Sequence, residues 1–221
     1  MTPSSRPRVT LHFAQSLDGR IALPGARAVL SSEEGVRLAH RARAEHDAVL
    51  VGSRTVQVDD PQLTVRACDG RQPRRIVLAG ELGVPLTARA LRPGPGVMVV
   101  GVLGRATREA RAKLEALGAQ IRLVPAGPDG RVSLAAALGE ILAWGVSRLL
   151  VEGGAGVLTA FLRERLADDA TIEIAPRLFG TPAVAALGAI GVDVPERALS
   201  VTDAHVERAG PNIVVRGRVA Y

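Results

Sequence analysis

Short apolar runs that do not alternate with polar residues constrain this chain most. Ala48–Val51 and Val97–Val100 are apolar at every position, and Arg148–Val151 is apolar at its last three. That pattern belongs to strands buried on both faces of a largely parallel sheet. Val9–Ala14, Arg75–Leu78 and Gln120–Val124 read as further strands. Between them, Ser32–Glu45, Thr107–Leu117, Ser133–Trp144 and Gly156–Leu166 carry helical periodicity. Ser32 suits an N-cap ahead of Glu33 and Glu34, whose charges favour a helix start. Gly118 stands where a left-handed C′ residue belongs. The last third changes character: Thr171–Ala175, Leu199–Arg208 and Ile213–Val219 are strand-like with no helix between, and Gly210-Pro211-Asn212 marks a turn. The expected architecture is a three-layer α/β fold, a mostly parallel central sheet finished by an antiparallel C-terminal hairpin. It forms one domain over residues 1–221, with 1–7 flexible.

Composition narrows the function. The net charge is +6 over 221 residues, but the arginines are dispersed and no aromatics are interleaved for base stacking. Nucleic-acid binding is therefore not expected. Cys68 is the single cysteine, and the four histidines (His12, His40, His46, His205) lack metal-ligand spacing. No metal site is expected. The N-terminal residues lack the apolar stretch of a signal peptide, and no apolar run reaches membrane-spanning length. A cytoplasmic protein without a membrane partner is the expectation.

Three segments carry candidate chemistry, each at the carboxyl end of an expected strand, where ligands sit in α/β sheets. In Ser16-Leu17-Asp18-Gly19-Arg20, the Asp-Gly pair by itself indicates only a tight turn. In Gly52–Arg66, a glycine after a buried strand permits close ligand approach. There Thr55 offers a hydroxyl and Arg66 a bidentate grip on phosphate. Asp60-Pro61 reads equally well as a turn. In Val151-Glu152-Gly153-Gly154-Ala155-Gly156, backbone N–H groups open a helix, an arrangement that suits phosphate. The glycine spacing matches neither the dinucleotide fingerprint nor a P-loop.

Taken together, Ser16–Arg20, Thr55–Arg66 (TVQVDDPQLTVR) and Val151–Gly154 (VEGG) resemble the reductase domain of the bacterial riboflavin-biosynthesis deaminase/reductase family and its stand-alone archaeal and fungal relatives. Ile174–Gly180 (IAPRLFG) is similar to a further family segment. The resemblance implies a dihydrofolate-reductase-like fold, NADPH as hydride donor, a homodimer, and a phosphorylated pyrimidine substrate. That substrate is 5-amino-6-(5-phosphoribosylamino)uracil, reduced to the ribitylamino product in riboflavin biosynthesis. Carried over by position, the resemblance places Ala14, Thr55, Asp59 and the run Gly154, Ala155, Gly156, Val157, Leu158, Thr159, Ala160 at the cofactor. It places Arg43, Leu63, Arg66 and Glu152 at the substrate, with Arg20 beside the phosphate and Glu152 as the candidate catalytic group.

The chain departs from the family between the first loop and the first helix. Arg27-Ala28-Val29-Leu30-Ser31 stands where relatives have Ser-x-Trp-Ile-Thr, so Arg27 and Val29 replace a serine near substrate and a tryptophan near cofactor. The zinc deaminase signature is missing from the sequence. Two other readings stay open: a paralogous NADPH reductase acting on another pterin-like or pyrimidine substrate, and a non-catalytic nucleotide-binding module.

Overall fold

The computed structural model describes residues 5–221, Arg27 by its backbone alone. In chain order the strands are β1 (Arg8–Ser16), β2 (Arg20–Leu23), β3 (Ala26–Arg27), β4 (Ala48–Gly52), β5 (Arg74–Leu78), β6 (Val97–Val102), β7 (Gln120–Val124), β8 (Arg148–Val151), β9 (Asp169–Ala175), β10 (Val184–Ala185), β11 (Ser200–Ala209) and β12 (Asn212–Ala220). The helices are α1 (Glu33–Glu45), α2 (Ser53–Asp59), α3 (Arg108–Ala116), α4 (Leu134–Ala143) and α5 (Ala155–Arg163). Single 3-10 turns lie at Arg89–Leu91 and Pro195–Arg197.

Nine strands form one sheet in the order β11-β12-β9-β1-β8-β4-β5-β6-β7. From β9 to β7 every pairing is parallel, while β12 runs antiparallel to β9 and β11 antiparallel to β12. The apolar runs of β4 and β8 occupy the middle: Ala48, Val49, Leu50, Val51, Leu149, Leu150 and Val151 are almost wholly inaccessible. Helices cover both faces. Leu138 and Ile141 of α4 and Leu158 and Phe161 of α5 join one core cluster, and Val56 of α2 and Leu114 of α3 join the other. Ser32 caps α1 by accepting from the Gly35 N–H at 2.9 Å, as its position suggested.

Two elements were not expected. A small antiparallel sheet, β10-β2-β3, sits beside the main one. Its strands of four, two and two residues are too short to show a period. The start of the Gly52–Arg66 segment is the helix α2 rather than loop. Flexibility over 1–7 does not extend to residues 6 and 7. Arg6 binds Asp168 through two hydrogen bonds of 2.7 and 2.8 Å, and Pro7 is buried. Residues 1–4 lie outside the described residues. Among the described residues no helix is long and apolar enough to cross a membrane.

Leu150 is fully buried on β8, two residues before Glu152. Leu150→Ala should destabilise the protein by about 2–5 kcal/mol through lost transfer energy and a residual cavity. The check is a lowered denaturant midpoint at unchanged slope.

Candidate active site

Parallel strands turn all their carboxyl ends to one edge of the sheet, and there β1, β8 and β4 lie side by side. β4 and β8 feed directly into α2 and α5. Close packing holds these two turns together: a Cβ on Gly52 would lie 2.9 Å from Val157 Cγ2, and one on Gly153 only 2.5 Å from Val157 Cβ. Both positions therefore require glycine, because a side chain would push α5 off the sheet. Across the gap the Gly154 N–H donates to Thr55 Oγ1 at 3.2 Å. Thr55 thus accepts from the protein and keeps its own hydroxyl proton for a ligand.

These turns floor a cavity of about 820 Å³, within the usual range for small-molecule sites. Of the residues placed at the cofactor by resemblance, Thr55, Asp59, Gly154, Ala155, Gly156, Val157 and Ala160 line it. Three do not. Leu158 and Thr159 lie on the inner side of α5: Leu158 is in the core, and the Thr159 hydroxyl donates to Ala155 O while accepting from Gly188 N. A contiguous run on a helix cannot point all its side chains one way. Ala14 is half-buried on β1, paired in register with Glu173 of β9.

Of the residues placed at the substrate, Arg43, Leu63, Arg66 and Glu152 gather around a different centre, off the lining of this cavity. Arg43 of α1 and Glu152 at the end of β8 form a two-bond pair of 2.8 and 2.7 Å, with both side chains nearly out of solvent. Arg43 also donates to the Thr64 carbonyl at 3.0 Å. Burial alone would raise the Glu152 carboxyl, but Arg43 outweighs it and holds the group below the ordinary carboxylate range. Glu152 is therefore a carboxylate at neutral pH. The Arg66 guanidinium is exposed and donates to Thr64 Oγ1 at 2.5 Å. Burial and the charges of Arg43 and Arg89 lower its pKa from the usual value, so it sits in a positive field. Leu63, with φ of +55°, buries its side chain in the core, which leaves only its backbone to face a ligand.

Two residues that sequence reasoning passed over build this cluster. His40 Nδ1 accepts from the backbone N–H groups of Arg66 at 2.7 Å and Ala67 at 3.2 Å, fixing the chain that carries Arg66. Burial, then the charges of Arg43 and Arg66, lower His40 to about 4, so the imidazole is neutral. Asp60 has φ of +41° and caps the end of α2. Its carboxylate accepts from the Arg89 N–H at 2.8 Å, tying the segment to the β5–β6 connection. Neither His40 nor the Asp-Pro pair gave a sequence signal of these partners.

The first segment is a clamp. Asp18 accepts from the Ser16 hydroxyl at 2.5 Å and from the Phe179 and Gly180 N–H groups at 3.2 and 2.7 Å. These donors lower its pKa to about 2, the Ser16 hydroxyl and the Gly180 N–H most. The clamp joins two of the segments that carry the family resemblance. Arg20 lies beside it, its buried Nε 3.9 Å from Asp18 Oδ2 and without a hydrogen bond.

Comparison with known proteins follows the same lines. Residues 7–215 match the family described as the RibD C-terminal domain. A riboflavin biosynthesis protein RibD of Aquifex aeolicus is 36% identical over 212 residues, which are 95% of this chain and 57% of that protein. The 2,5-diamino-6-ribosylamino-4(3H)-pyrimidinone 5′-phosphate reductase of Methanothermobacter thermautotrophicus is 36% identical over 178 residues, 79% of this chain and 80% of that one. The structure of Acinetobacter baumannii RibD superposes with a TM-score of 0.86 at 28% identity, covering 99% of this chain and 59% of that one. The chain thus spans less than two thirds of these RibD proteins. The sheet order with its C-terminal hairpin is the dihydrofolate-reductase-like reductase fold.

Removing either partner of the Arg43–Glu152 pair leaves a buried charge alone. Arg43→Met and Glu152→Gln should each cost about 3–5 kcal/mol, and the double variant distinctly less than their sum. Additive losses in a double-mutant cycle would show that the pair is not coupled. His40 falls from about 6.5 unfolded to about 4 folded, so the unfolded chain binds more protons between these values. Its contribution is complete above about pH 6.5 and is lost as pH falls toward 4. His12 and His46, also buried and lowered, act in the same direction. A His40 ring resonance that titrates near 6.5 in the folded protein would contradict this.

Proposed function

Because this chain belongs to the RibD C-terminal domain family, we propose that it reduces 5-amino-6-(5-phosphoribosylamino)uracil to the ribitylamino product with NADPH, a step of riboflavin biosynthesis. The observation that carries this reading is the adjacency of two unlike sites at one sheet edge. One is the glycine-floored cavity between α2 and α5. The other is a charged cluster at Glu152, directly preceding that floor.

The cavity suits a dinucleotide. Its floor is backbone at Gly52 and Gly154, where a phosphate can approach closely, and Thr55 has a hydroxyl proton to give. When bound, the nicotinamide cofactor supplies a hydride. The remaining work falls to this chain. Arg66, held by His40 through its backbone, grips the substrate 5′-phosphate, assisted by Arg20. Binding at that remote end fixes the reacting carbon, an effect worth several kcal/mol.

In the reaction we assign, the ribosylamine ring opens as its C1′–O4′ bond breaks. O4′ takes a proton from water and C1′ becomes an imine carbon in its protonated form. Hydride then adds at C1′ and neutralises it. The carboxylate of Glu152 stabilises that positive charge. It is not the proton donor, since Arg43 keeps it ionised. Leu63 contributes through its backbone.

A second reading has a specific motive. The archaeal stand-alone relative is named for the diamino-pyrimidinone phosphate, and the chain's Arg27 stands where the family has serine. The two substrates differ at one exocyclic group of the pyrimidine. We also propose a homodimer, supported by the exposed Val206 and Ile213 on the β11–β12 hairpin.

Purified protein should oxidise NADPH when given the aminouracil phosphate, and parallel assays with the diamino compound decide between the substrates. Turnover of neither rejects both readings. Arg66→Ala should raise KM by the equivalent of about 2–3 kcal/mol, the scale of a charge-assisted contact. An unchanged KM removes Arg66 from the phosphate site.

A further inference from the structure

The cavity wall carries three guanidiniums that the chemistry above does not use. They belong to Arg54 on α2, Arg105 after β6 and Arg131 ahead of α4. Arg43 is saturated by Glu152, whereas none of these three side chains has an ion pair or hydrogen bond among the described residues. Two of the tips are located by their neighbours. Arg131 Nη1 lies 3.1 Å from where a Cβ on Gly156 would stand, at the first turn of α5. Arg105 Nη2 lies 3.3 Å from where a Cβ on Gly130 would stand, one residue before Arg131. Both guanidiniums thus lie against glycine backbone in the cavity wall.

The acidic groups on the same wall are accounted for. Asp129 pairs with Arg163 at 3.0 Å and accepts the Arg131 N–H at 3.0 Å, and Glu164 faces Arg163 at 3.6 Å. Asp59 is partnered as well, and Glu81 is exposed. A nucleotide site that prefers an unphosphorylated ribose offers a carboxylate to its 2′-hydroxyl, while one that prefers a 2′-phosphate offers arginine. At the turn from Asp129 to Arg131 the carboxylate is already bound and the spare groups are cationic.

We propose that Arg105 and Arg131 form the subsite for the 2′-phosphate of the coenzyme and so set the preference for the phosphorylated dinucleotide, with Arg54 adding to the field from α2. The assignment rests on reading the cavity as the coenzyme cleft. Both residues are exposed, so substituting them leaves the core untouched.

The test is calorimetric titration of the whole chain with 2′,5′-ADP and with 5′-ADP, which share every group but the 2′-phosphate. The unaltered protein should bind 2′,5′-ADP at least about tenfold more tightly, the value of one charge-assisted contact. The double variant R105A/R131A should lose that margin while binding 5′-ADP as before, and R105K/R131K should recover part of it. Equal affinities in the unaltered protein, or a margin that survives in R105A/R131A, overturn the proposal. Failure of the unaltered protein to bind either nucleotide overturns instead the coenzyme cleft on which it rests.

Discussion

One buried ion pair organises the reactive edge of this protein. Glu152 directly follows the central strand β8, Arg43 projects from α1, and the two meet through paired hydrogen bonds. Taking both charges out of water is costly and is offset only when the geometry satisfies them fully. Arg43 meets that condition by also binding the Thr64 carbonyl. The same guanidinium therefore fixes the carboxylate, the helix and the segment bearing Arg66. Because Glu152 directly follows a strand held between β1 and β4, the helix and the Arg66 segment are positioned from the centre of the sheet.

Around that pair the charges are sorted. Glu152 is neutralised by Arg43, His40 is held neutral, and Arg66 is left cationic in a positive field. The arrangement leaves Arg66 without an acidic partner, next to a carboxylate that stays ionised. Such separation of charge by environment is what the proposed reaction requires, a phosphate and a developing cation served by one small fold.

The frame was legible in the sequence wherever burial dictated composition. AVLV and VMVV read as strands covered on both faces, and both lie inside the sheet, AVLV on β4 and VMVV on β6 next to the edge strand β7. α2 was not legible. SRTVQVD is short and rich in β-branched residues, and it is helical because Val56 packs into the core and Asp60 stops it. The cofactor run was read as contiguous, yet the phase of α5 turns Leu158 and Thr159 inward. The Arg43–Glu152 contact spans 109 positions, and no local pattern announces a partner at that distance. His40 was invisible for the same reason.

The placement of β1 has a consequence for how the chain comes to exist. Its first strand lies between β8 and β9, so Leu11 finds its neighbours at Val151 and Ala170. Asp18 likewise waits for Gly180. During synthesis an apolar strand and the loop after it must remain unpaired until β8, β9 and Gly180 have emerged. Contacts of such long range make folding slow and leave strand edges open meanwhile. β1 is thus made well before the strands that flank it, and its exposure in that interval is the natural point for aggregation or chaperone capture.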